Sequence, residues 1–150
     1  MMMRLSKHFT LDEFIKSATA TRLGIDNTPD EKVLNCIQAL VDNVLEPLRV
    51  HYGRPIIITS GYRCPKLNKA VGGSSTSQHA IGQAVDIRSV SDSREDNKEL
   101  FDMILEMKLP FDQLINEFGY DWVHVSFGPR NRRQVLKAEK SGGKTVYKVV

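Results

Sequence analysis

The chain has 150 residues, 41% of them apolar, so it is long enough to bury a core without disulfide or metal staples and has the length of one domain. Its 21 basic and 18 acidic side chains leave a formal charge of +3, and the basic residues are scattered, which argues against a nucleic-acid-binding stripe. No apolar run approaches the ~20 residues of a membrane span, and the opening MMMRLSKHFTLDEF lacks the apolar centre of a signal peptide, so the expectation is a cytoplasmic product as synthesised.

Residues 9–17 open with Thr10 in a capping position and Glu13 three residues on, the pattern of a capping box starting a short helix. A turn-rich stretch follows. Thr28, Pro29 and Glu31 repeat the start signal, and Val33, Leu34, Ile37, Leu40, Val41, Val44, Leu45 and Leu48 then recur at spacings of three and four. The spacing predicts a long amphipathic helix, with a kink or stop near 47–52 because Pro47 lacks an N–H and Gly53 ends the segment.

The β-branched run 55–60 predicts a buried strand stopping at Gly61. Residues 61–83 are rich in glycine, serine and threonine and read as a loop, unusually long for a small domain unless it has a function. Residues 84–88 form a second short strand and 93–107 a helix with Leu100, Phe101, Ile104 and Leu105 inward. Residues 111–118 and 122–127 are strands joined by Gly119, Tyr120 and Asp121 as an antiparallel hairpin. From Gly128 the tail is basic, its Lys and Arg residues read as a solvated face, and Ser141, Gly142 and Gly143 make a turn in an edge hairpin or a fraying end. The order predicts an α+β fold with a small, mainly antiparallel sheet and helices packed on it. Cys36 lies in an apolar helical stretch and reads as a small buried hydrophobe rather than a partner for Cys64.

Two of four histidines stand near carboxylates in polar or strand-borne settings. His79 precedes Asp86 by seven residues, with Gly82 between them to let the loop turn into the strand. His124 shares a strand face with Trp122 and Ser126 while Val123, Val125 and Phe127 face the other way, so an apolar face would anchor it from behind. A catalytic zinc takes three protein ligands and leaves one position open, and His79, Asp86 and His124 supply such a set. By spacing alone the alternative stays open, with His124 a hydrogen-bonded strand residue and His79 an ordinary loop histidine.

The run SGYRCPKLNKAVGGSSTSQHAIGQAVDI, followed by DWVHVSF, resembles the zinc D-Ala-D-Ala carboxypeptidase family and its phage relatives, the L-alanyl-D-glutamate endolysin peptidases. Their Ser-x-His-x6-Asp and carboxylate-x-x-His patterns match Ser77, His79 and Asp86, then Asp121 and His124. HFTLDEFIKSATATRLGIDNTP and NVLEPLR also look like the small phage or prophage branch, so the resemblance covers roughly residues 6–130.

The resemblance implies the hedgehog/D-Ala-D-Ala peptidase fold, one zinc held by His79, Asp86 and His124, and hydrolysis of peptidoglycan stem peptides by a monomer. It further implies Asp121 as the base that takes the water's proton and Arg63 as the group that steadies the carbonyl oxygen. Alternation along a strand puts positions 121 and 124 on opposite faces, so Asp121 must sit in the turn to serve, and Glu117 on the preceding strand is the alternative. By resemblance Ser77 binds a substrate carboxylate, its other reading being a turn cap. Trp122 either lines the substrate groove or packs. Both an L-Ala to D-Glu endopeptidase and a D-Ala-D-Ala carboxypeptidase share these motifs, and a non-catalytic, zinc-holding wall-binding module is the rival class.

Overall fold

The computed structural model describes residues 3–150. Thr10 caps helix α1 (Leu11–Ile15), its N–H donating to Glu13 Oε2 at 2.7 Å, as the capping box predicts. The expected turn-rich stretch contains a second helix, α2 (Ala18–Leu23), started by Ser17 Oγ accepting from Ala20 N and ended by Gly24. Six residues carry too little periodicity to announce a helix; the serine cap was its only signal.

The long amphipathic helix is continuous but not uniform: α3 (Glu31–Leu40) passes through a π-turn, Val41–Leu45, into α4 (Glu46–Tyr52), which Gly53 ends. The stop falls at Tyr52, within the expected 47–52, and a disturbance at Val41–Leu45 lies just upstream of Pro47. A proline ring clashes with the carbonyl four residues earlier, here Asn43, and widening that turn relieves the clash without breaking the helix.

Strand β1 (Ile56–Ser60) leads into the long glycine-rich segment, which holds helix α5 (Pro65–Ala70) and a 3-10 turn at Gln78–Ile81. Strand β2 (Ala84–Ser89), helix α6 (Arg94–Glu106), β3 (Gln113–Glu117) and β4 (Trp122–Ser126) follow as expected. The tail does not fray: it forms β5 (Gln134–Ser141) and β6 (Lys144–Val149), joined at Gly142 and Gly143.

The six strands make one sheet in the order β1-β2-β4-β3-β5-β6. Four neighbouring pairs are antiparallel, and β3 with β5 is parallel. One face carries Val85, Ile87, Leu114, Val123 and Val125, sealed by Leu40, Val44, Leu48, Leu100 and Ile104 from the helices into the main core. The opposite face carries Asp86, Glu117, His124 and Ser126, followed towards β5 by a small apolar patch of Ile115, Leu136 and Ala138. A period of two dictates this division, since neighbours along a strand must face opposite ways. No helix among the described residues is long and apolar enough to cross a membrane. Cys36 and Cys64 are free and half-buried rather than paired.

Candidate metal centre

The antiparallel register places Asp86 on β2 directly across from His124 on β4, and both project from the face away from the helical core. His124 Nδ1 lies 3.0 Å from Asp86 Oδ1. His79 arrives from the 3-10 turn, with its Nε2 3.5 Å from the same carboxylate oxygen and its ring 5.2 Å from that of His124.

Three local devices deliver His79. Ser77 Oγ accepts its backbone N–H at 3.2 Å, starting the turn. Its Nδ1 donates to the Gly61 carbonyl at 2.8 Å, which fixes the tautomer and leaves the Nε2 lone pair facing Asp86. Gly82 ends the turn at a φ of +77°, and a Cβ there would lie 2.8 Å from the Val33 carbonyl, so only glycine fits both the backbone and the space.

His79, Asp86 and His124 each offer a ligand atom, all within 4.8 Å of one another. Donor atoms 2.0–2.1 Å from a tetrahedral zinc are about 3.4 Å apart, and the separations of 3.0 and 3.5 Å from Asp86 bracket that value. Burial alone would push the Asp86 carboxyl up, but the His124 and His79 imidazoles beside it outweigh that and hold the group well below the usual carboxylate range. A carboxylate between two imidazoles is the donor set zinc takes, so these residues fit the metal.

The ligands stand in a cleft of about 980 Å³ that Arg63, Ser77, Glu117 and Trp122 also line. Arg63 follows β1; its backbone N–H donates to the His79 carbonyl at 3.1 Å and its Nη2 lies 3.5 Å from Ser77 Oγ. The Arg63 Nε is buried without a partner among the described residues, leaving a donor for a bound molecule. Burial also lowers the guanidinium pKa, against the opposing effect of Asp86. Ser77 therefore caps the turn and touches Arg63 at once. Trp122 stacks at a tilt on Phe118, ring centres 5.4 Å apart, so it both packs and lines the cleft.

The two candidate bases are separated. Glu117 is 7% exposed, and burial pushes its carboxyl up to about 7, with His124 lowering and Asp86 raising it. Asp121 lies outside the cleft, paired with Arg94 of α6. The turn does not rescue it: Phe118, Gly119 and Tyr120 all take positive φ, and the Asp121 N–H returns to the Glu117 carbonyl, so its side chain follows strand alternation to the helical side.

Sequence reasoning also missed a wall of the cleft. Arg130, Arg132, Lys140 and Tyr147, from the tail read as a solvated face, line it. Arg132 is held there by Asp112, which is 1% exposed and accepts from Arg132 Nε at 2.7 Å, Arg132 N at 3.1 Å and Gln78 Nε2 at 3.0 Å. The only available signal was the alternation of Leu136 and Ala138 with charged residues, which marks β5 as a strand with one buried face.

A protein-family model described as Peptidase M15 matches residues 7–126. No curated protein matches the chain.

Proposed function

The chain belongs to the peptidase M15 family, a family of zinc-dependent metallopeptidases, and from that premise we propose that it hydrolyses amide bonds in peptidoglycan stem peptides. The observation that carries the proposal is the meeting of two imidazoles, one carboxylate, a buried second carboxylate and a half-buried guanidinium in one cleft.

Zinc, when held by His79, Asp86 and His124, lowers the pKa of water toward ~7 and polarises a carbonyl. Glu117 takes a proton from the attacking water and returns it to the leaving nitrogen; its burial keeps it basic enough to accept and acidic enough to give back. The role expected of Asp121 passes to Glu117 because only the latter reaches the cleft. Arg63 offers its unpartnered Nε and the rest of its guanidinium to the carbonyl oxygen as that atom gains negative charge. Ser77 holds Arg63 in place and binds a substrate carboxylate, and Trp122 forms part of the groove.

The bond proposed is the internal L-Ala to D-Glu amide, with removal of a terminal D-Ala as the alternative. Incubating purified peptidoglycan with the zinc-loaded protein and identifying released fragments by mass spectrometry tests both metal dependence and bond position. Stem-peptide fragments are expected, absent when a chelator is present. Protein that retains zinc yet releases nothing from any wall preparation points instead to the binding module.

A further inference from the structure

The face that carries the metal ligands does not stop at β4. Register continues it as one row, Asp86 across from His124, His124 from Ile115, Ile115 from Leu136 and Leu136 from Val149. Beyond the ligands the row is apolar, and Ile115, Leu136 and Ala138 with Phe118 form a small cluster separate from the main core. A floor thus runs from the candidate metal centre to the β6 edge of the sheet. At that edge Tyr147 and Val149 are 55% and 77% exposed.

The charge along this floor is unbalanced. Arg63, Arg130, Arg132 and Lys140 line the cleft against Asp86 and Glu117. Asp112, just behind, is shared by two guanidiniums, Arg132 closely and Arg130 at 3.5 Å, so one positive charge stays uncompensated. On β5 the odd positions point away, where Glu139 pairs with Lys137 and Lys148. Lys140 is left over the Phe118 ring and 3.3 Å from Thr145 Oγ1, with no carboxylate partner among the described residues. A bound dication would make the cleft more positive still.

We propose that β5, β6 and the loop before them form an extended subsite for an acidic stretch of peptide, bound several residues from the bond that is cut. The subsite rests on the peptidase reading of the cleft and adds residues that lie past the family-matched segment, 7–126. Two strand spacings across the sheet and four residues along β5 separate the His124 and Lys140 positions, roughly 16 Å, the span of four or five extended residues. An apolar floor holds such a chain by its side chains while Lys140, beside Phe118 at one end of β5, and Arg130, beside Asp112 at the other, each offer a charge to a separate carboxylate, so a dipeptide cannot use the wall and a longer anionic peptide can.

The test walks one glutamate through an end-blocked, otherwise neutral eight-residue peptide of alternating L and D residues. Binding to the zinc-loaded Glu117→Gln protein is read by fluorescence anisotropy at low salt. One or two positions are expected to bind about tenfold tighter with glutamate than with glutamine. The double variant Lys140→Ala, Arg130→Ala, both at solvent-accessible side chains, removes that preference and leaves the neutral peptide's affinity unchanged. Equal affinity for glutamate and glutamine at every position, a preference that survives the double variant, or no binding by any peptide overturns the subsite. If the preference appears but zinc-loaded wild-type protein cuts neither these peptides nor cell wall, the subsite stands and the peptidase reading falls.

Discussion

Glu117 and Asp121 are four residues apart and chemically alike, yet their surroundings give them different fates. Glu117 is buried beside His124 with a raised pKa, while Asp121 is spent on a surface ion pair with Arg94. Glu117→Gln is expected to lower hydrolysis by 10²–10⁴-fold, the range for losing a general base, with zinc content unchanged by atomic absorption. Asp121→Asn is expected to leave hydrolysis within about twofold, because exposed ion pairs contribute at most about 1 kcal/mol. The reverse result would move the base into the turn. Asp112 supports a pH prediction of definite sign. Hydrogen bonds from Arg132 lower its carboxyl to about 2 from 3.8, so its stabilisation is complete above pH ~3.8 and is lost as pH falls toward 2. Its arginine partners are partly solvated, which limits the contribution to about 1–2 kcal/mol. Asp112→Asn is therefore expected to lower the urea midpoint at pH 6 and to converge on wild type near pH 2.

Among the elements, the join between β1 and α1 governs how tightly His79 is held. A Cβ on Gly61 would run into the backbone of Phe14, and the Gly61 carbonyl is the acceptor for His79 Nδ1. Gly61→Ala must shift one chain or the other, so a loss of about 1–3 kcal/mol in chemical denaturation is expected. Moving the carbonyl also loosens the imidazole, and partners of this kind typically account for 10–100-fold in metal affinity, readable by competition with a chromogenic chelator. A variant that lost stability while keeping full zinc affinity would separate the two effects and refute the coupling. The same scale explains which elements the sequence made legible. The long helix, the strand after Pro55 and the β3–β4 hairpin have strong periodicity or turn residues, whereas α2 and α5 are six residues each, formed by caps and tertiary contacts rather than by pattern. The basic tail left an edge hairpin and a fraying end equally open, because strands with one solvated face look polar when half their residues are charged, and β5 and β6 form the hairpin.

For the molecule as a whole, the core and the candidate metal centre lie on opposite faces of one sheet. The helices seal one face with Leu40, Val44, Leu48, Leu100 and Ile104, none of them a metal-ligand candidate. Sheet register and the Gly61 carbonyl already hold His124 Nδ1 and His79 Nε2 at 3.0 and 3.5 Å from Asp86 Oδ1, so the site is preformed and the core does not depend on it. Removing zinc with a chelator is accordingly expected to abolish hydrolysis while the far-UV circular dichroism stays native; stabilisation by zinc appears as a rise in Tm that grows with free metal. Unfolding on chelation would mean that the metal, not the apolar face, holds the sheet together. By itself the sequence determined which residues are apolar at helical or strand spacing, and hence the α+β class, the strand bearing His124 and the loop-to-strand segment that carries His79 and Asp86 on either side of Gly82. Only the tertiary structure decided which carboxylate enters the cleft and that the tail walls it, since both depend on strand register and neighbour order. Those are set by contacts between residues far apart in the chain, and local pattern fixes which way a side chain alternates but not what it meets.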